Sequence, residues 1–176
     1  TNPEALVLTP AMLLWLNVVT DGLPALALGA DPRSDAVLER PPRPAGTPVV
    51  DRRVAASVAA IGALMAATGV PLFFHGLASG TLVHAQTLLF TFLVTAELVR
   101  IQLVRRRYGQ SPASNPALIG AVVVSLSLQL AVLYTPLAGL FDVTPLAVAD
   151  WTDIGVAFAA FLVLAYAAER LLDRVA

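Results

Sequence analysis

The sequence predicts an all-α fold, a polytopic membrane bundle of five transmembrane helices. Three observations carry that reading. Of 176 residues, 57% are hydrophobic and 13% charged, against about 25% charged in an ordinary soluble domain. Several uncharged runs reach the length of about 20 residues that a membrane helix needs. The eleven basic residues, all arginine, cluster between or after those runs, as they do when one side of a membrane holds them all. Cysteine is absent, which excludes disulfides, thiolate metal ligands and cysteine nucleophiles. A net charge of −1 points to no particular partner. The abundance of Ala, Val and Arg suggests a GC-rich microbial source.

The first span is expected over about residues 5–28, with Pro10 near its start. The hydrophilic stretch 29–53 follows, with five prolines and five arginines. It is too polar for the bilayer and too rich in proline for one helix, although Asp35 to Arg40 can form a turn or two. Val54 to Ala96 carries no charge and is too long for one span. Pro71 to Gly80, PLFFHGLASG, is its cluster of breakers, which predicts a turn there. The second span is then 54–74 and the third 82–104. Ala, Gly and Ser in the second favour close helix packing. Tyr108 to Pro116 reads as a loop, and the fourth span as 117–136. The fifth is 151–172, with Trp151 as an interfacial anchor and Asp or Thr of Asp150-Trp151-Thr152-Asp153 as its cap.

With five spans, every arginine falls on one side of the membrane. Glu4, Asp142, Asp150, Asp153 and both histidines fall on the other. The positive-inside rule then places the N-terminus outside and the C-terminus in the cytoplasm. A wrong span count would scramble this segregation. The chain opens at Thr1 with no arginine-led signal sequence, so it is expected to be the tail, or a truncated reading, of a longer chain.

The stretch Leu13 to Leu28, LLWLNVVTDGLPALAL, is the centre of interest. Asn17, Thr20 and Asp21 lie three and four residues apart, on one face of a helix. A carboxylate near the bilayer centre costs roughly 3 kcal/mol on insertion scales and marks a functional position by default. Pro24 cannot donate to the carbonyl of Thr20 and pushes it aside. The helix is therefore expected to loosen after Asp21 and to present side-chain and main-chain oxygens together. The bland reading of the three residues is polar glue between helices; Asp21 and the Gly-Leu-Pro sequence favour a cation site.

Glu97, in the third span, is the other deep acid. It either snorkels toward the arginines, with Arg100 as partner, or meets Asn17, Thr20 and Asp21 in the interior. Two carboxylates, an amide oxygen, a hydroxyl and freed carbonyls are hard oxygen ligands. Calcium takes six to eight of these at about 2.3–2.6 Å. Copper and zinc lack their preferred ligands here. His75 and His84 flank the expected turn and read as interfacial. No phosphate-cradling loop, catalytic triad or nucleic-acid patch is visible.

The segment PEALVLTPAMLLWLNVVTDGLPALALGADPRSDAVLERPPR resembles the sixth transmembrane helix and following loop of P-type cation-transporting ATPases, in particular the sarco/endoplasmic-reticulum-type calcium pumps. The shared pattern is LWxNxxTDGLPAxALG, then DP, then RPPR. VTAEL in the third span resembles the family's eighth helix; LYTPLAGLF and AERLLDR resemble the ninth and tenth more loosely. The resemblance implies that residues 1–176 are the C-terminal transmembrane domain, helices six to ten. It implies metal ligands at Asn17, Thr20, Asp21 and Glu97, with calcium as the transported ion. Sodium/potassium pumps carry Asp where Asn17 stands. Plasma-membrane-type calcium pumps carry Met in place of Thr20 and lack the acid at Glu97.

The DKTGT phosphorylation motif, the nucleotide-binding domain and helices one to five are not in this sequence. The chain alone is therefore expected not to hydrolyse ATP; ATP and magnesium would belong to those other domains. The implied partners are the bilayer and the rest of the pump, with no nucleic acid, in a prokaryotic cell membrane. Two other readings stand beside this one. One is a membrane scaffold or truncated pump fragment that binds no ion. The other is an independent ion-coupled carrier using Asp21 and Glu97, for which an inverted repeat would speak; none is visible.

Overall fold

The computed structural model of the protein describes residues 6–31, 50, 52–107 and 109–175. Glu4, the expected turn at 35–40 and most of the proline-arginine loop lie outside the described residues. Five helices are long and apolar enough to cross a membrane. They are the first span, Pro10–Leu28, the second, Arg52–Ser79, the third, Leu82–Arg107, the fourth, Pro116–Tyr134, and the fifth, Val148–Val175. No strand occurs among the described residues. A short helix, Ala138–Phe141, connects the last two spans.

Local chemistry sets the starts of these helices. Thr9 caps the first span, accepting from the Met12 N–H at 3.3 Å, and Pro10 follows at the first helical position, where its missing N–H costs nothing. Asn115 and Pro116 repeat the arrangement at the fourth span, with the Leu118 N–H donating to Asn115 at 2.9 Å. At the fifth span Asp150 sits inside the first turn and reaches back to the Ala147 N–H at 2.7 Å. That is the acidic half of a capping box. The helix thus begins three residues before the expected Trp151. The Trp151 indole donates to the Tyr134 hydroxyl at 2.7 Å, which in turn donates to the Leu146 carbonyl at 2.9 Å.

The second span departs from expectation. It continues through Pro71 as far as Ser79, and the turn is confined to Gly80 and Thr81. Proline inside a helix removes one hydrogen bond. Opening a turn at Pro71 would instead strand several backbone groups in an apolar medium, each costing more. Further along, Gly76 lies against the third span so closely that a Cβ there would stand 2.6 Å from Leu88 Cδ1 and 3.0 Å from Ala85 Cα. The two backbones can approach this far only because the second span offers glycine.

The third span is the axis of the bundle. Half of its apolar window is buried inside the protein, against 17–33% for the other four. Phe90, Phe92, Val94 and Leu98 from this helix are wholly or almost wholly buried. The second and fifth spans pack together on one flank of it, and the first and fourth on the other. Outward faces carry Val58, Phe74, Val123, Val156 and Val163, a surface suited to lipid.

The helix ends are pinned by polar contacts. At the arginine-bearing end, Arg105 is 4% exposed and grips Asp31 through Nη2–Oδ1 at 2.6 Å and Nε–Oδ2 at 3.1 Å. Asn115 joins them, donating to Asp31 Oδ1 at 3.0 Å and to the Ala27 carbonyl at 2.9 Å. At the opposite end His84 meets Asp150 at 2.9 Å and His75 meets Asp153 at 3.3 Å. The histidines, read from sequence as interfacial, are tied to acids of the fifth span.

Candidate intramembrane site

The first span loosens, as the sequence suggested, but over Leu16–Gly22 rather than after Asp21. It stays helical but widens: Leu16–Gly22 is π-helical, between α-helical Pro10–Trp15 and Leu23–Leu28. A π register is rare and concentrates at functional positions. Its bonds run from each N–H to the carbonyl five residues back. Pro24 has no N–H to give and sits at the start of the following α-helical segment. Widening the helix at Asp21 absorbs the proline without unwinding the chain.

The wide register also sorts the three polar residues. Each residue turns less about the axis than in an α-helix, so Thr20 falls further around from Asn17. Thr20 is fully buried, whereas Asn17 and Asp21 are exposed on the flank of the chain. Thr20 Oγ1 bonds the carbonyl of Leu16 and lies 2.8 Å from Glu97 Oε2. Glu97 is half-buried and makes no ion pair with Arg100; its hydrogen bond goes to the first span.

Asn17 spends its Nδ2 on the Leu13 carbonyl at 3.0 Å, which leaves Oδ1 as the atom able to accept or to ligate. The Asp21 side chain has no hydrogen bond or ion pair among the described residues. Thr20 and Glu97 are thus in direct contact, and Asn17 and Asp21 stand beside them on an open side. Among the described residues no three His, Asp or Glu side chains converge. The cluster is two carboxylates with neutral oxygens, an oxygen-only set suited to a hard cation.

Sequence reading missed the support for this cluster. Ser125 donates to the Val19 carbonyl at 2.9 Å. Gln129, 2% exposed, accepts from the Trp15 indole at 2.9 Å and donates to Thr91 Oγ1 at 3.3 Å. Ser125 and Gln129 are four apart in a mostly apolar helix, hence on one face, which the intervening Ser127 does not share. That spacing was the available signal.

Five apolar helices, with a carboxylate of the central one set against a widened helix, define an integral membrane protein with a polar site within the bundle. The chain belongs to the family described as "Cation transporting ATPase, C-terminus", which matches residues 5–172. It is 36% identical over 152 residues to a calcium-transporting ATPase of Bacillus subtilis (strain 168), covering 83% of this chain and 17% of that protein. It is 31% identical over 182 residues to calcium-transporting ATPase 3, endoplasmic reticulum-type, of Arabidopsis thaliana, covering 84% and 18% respectively. Calcium-transporting ATPase 1 of Bacillus cereus (strain ATCC 10987 / NRS 248) is 30% identical over 165 residues, covering 82% and 19%. The chain spans less than a fifth of the length of these curated relatives.

Proposed function

We propose that this chain supplies the C-terminal part of the membrane domain of an ATP-driven calcium pump. In it, Asn17, Thr20, Asp21 and Glu97 present oxygen ligands to the transported ion. The observation that carries the proposal is the contact of Thr20 with Glu97 beside a π-helical segment that also bears Asn17 and Asp21. Asp21 carries a carboxyl group and is exposed on a membrane-spanning helix, a position too costly to leave facing lipid. Further helices of the same pump would cover this flank and complete the six to eight ligands that calcium takes. The names and lengths of the relatives support the same reading. ATP and magnesium would be handled by domains outside this chain. The arginine-bearing end would face the cytoplasm, as the charge bias of membrane proteins requires.

Calcium-dependent phosphoenzyme formation by the complete pump tests the proposal. Asp21→Asn keeps the shape and one oxygen but removes the charge, and abolishes the calcium-dependent signal on this reading. Wild-type calcium affinity in Asp21→Asn would rule the site out.

A further inference from the structure

We infer that Ser125 is a positioning residue for the intramembrane site: its hydroxyl holds the Val19 carbonyl that Pro24 leaves without a donor, and so fixes the wide register that carries Asn17, Thr20 and Asp21. The inference rests on the reading of the site proposed above.

The argument begins with the bonding pattern of the first span. In the π register of Leu16–Gly22, the N–H that would serve the Val19 carbonyl is five residues on. That residue is Pro24, which has none. Val19 is 5% exposed and Ser125 wholly buried, so water does not reach the gap. A buried carbonyl with no partner is costly, and in an apolar bundle more so. Ser125 Oγ, on the fourth span, fills the position at 2.9 Å.

Ser127 provides the contrast. It lies on the same helix and donates to the carbonyl four residues back, Val123, at 2.8 Å. That is the usual resting bond of serine in a membrane helix. Ser125 instead bonds across to another helix, at the residue adjoining Thr20. Without its hydroxyl, the first span can satisfy Val19 only by tightening to the α register, where Leu23 is the donor and the carbonyl that Pro24 leaves open becomes that of Thr20. Tightening turns Thr20 and Asp21 about the helix axis relative to Glu97. The α and π registers are thus two discrete states of the site helix, and Ser125 favours the wide one.

The test is a double-mutant cycle in the complete pump in membranes, read as the calcium dependence of phosphoenzyme formation. Ser125→Ala weakens apparent calcium affinity about tenfold, the scale of one hydrogen bond to a buried acceptor, and leaves the maximal phosphoenzyme level unchanged. Ser125→Thr, which keeps the hydroxyl, restores affinity. Pro24→Ala returns an N–H five residues beyond Val19, so the wide register regains its own donor. In that background Ser125→Ala costs less than about twofold, because the two groups serve one acceptor. Three results overturn the inference: unchanged affinity in Ser125→Ala, the same loss in both backgrounds, or loss of phosphoenzyme at saturating calcium, which would mark Ser125 as a packing residue. Asp21→Asn, run alongside, separates the two levels. If it keeps wild-type affinity, the site itself is wrong. If it loses calcium dependence while Ser125→Ala does not change, only the role of Ser125 is wrong.

Discussion

Thr20 Oγ1 stands 2.8 Å from Glu97 Oε2, joining two helices across 77 positions of sequence. The same hydroxyl also bonds the Leu16 carbonyl. A hydroxyl has one hydrogen, and here it faces two acceptors. On the site proposed above, a proton on the carboxyl group or a cation shared by both oxygens would complete the arrangement.

Calcium and protons should therefore compete for the cluster. Apparent calcium affinity rises with pH, because ligating carboxyls must be ionised. Glu97→Gln weakens binding and flattens that dependence, and Asn17→Ala and Thr20→Ala fall between wild type and Asp21→Asn. Phosphoenzyme formation measured across pH for these variants decides. An unchanged affinity and pH profile in Glu97→Gln would remove Glu97 from the proposed ligand set.

The Asp31–Arg105 contact makes a separate prediction. The hydrogen bond from Arg105 holds the Asp31 carboxyl below its ordinary value; burial opposes this, and Asn115 reinforces it. A lowered folded value means the contact stabilises above the ordinary aspartate range near pH ~4, and that stabilisation is lost as pH falls through the folded value. Asp31→Asn should cost about 2 kcal/mol at neutral pH, the scale of a hydrogen bond to a charged group. The gap from wild type should close on acidification. Thermal unfolding of the purified pump from pH 6 to pH 3 reads both; a gap independent of pH would contradict the assignment.

At Gly76 the constraint is steric. An added methyl meets Leu88 Cδ1 and the Ala85 backbone. Leu88 can rotate away but Ala85 cannot, so Gly76→Ala should destabilise the bundle by roughly 1–3 kcal/mol. Gly62, where a Cβ meets nothing within 4 Å, is the control: Gly62→Ala should be neutral or slightly stabilising. Equal melting temperatures for the two variants would show that the second and third spans are not so tightly apposed.

Orientation is tested by single cysteines, since the native chain has none. A cysteine at position 46 should resist an impermeant thiol reagent applied to intact cells, and one at position 79 should react. The reverse pattern would invert the proposed topology.

The sequence by itself determined the number of spans and singled out Asn17, Thr20 and Asp21 as polar residues of the first, although it put all three on one face. Both follow from local properties: twenty apolar residues must be helical in a bilayer, and a carboxylate among them is conspicuous wherever it lies. Glu97 stood out for the same reason. The limits of local reading appear at Pro71 and Pro24. Each is a helix breaker in isolation, yet both helices pass through, one by forgoing a bond and the other by widening. An apolar surrounding makes continued helix the cheapest way to satisfy the backbone. Only the tertiary structure decided which helix faces which. It turned Thr20 inward and left Asn17 and Asp21 outward, set Ser125 against Val19, closed Arg105 on Asp31, and paired His84 with Asp150 and His75 with Asp153. These contacts join residues on different helices, far apart in the chain. The apolar pattern that drives each helix into the membrane is the same for all five, and so cannot choose its neighbours. Shape at Gly76 and single polar bonds across the interfaces make that choice.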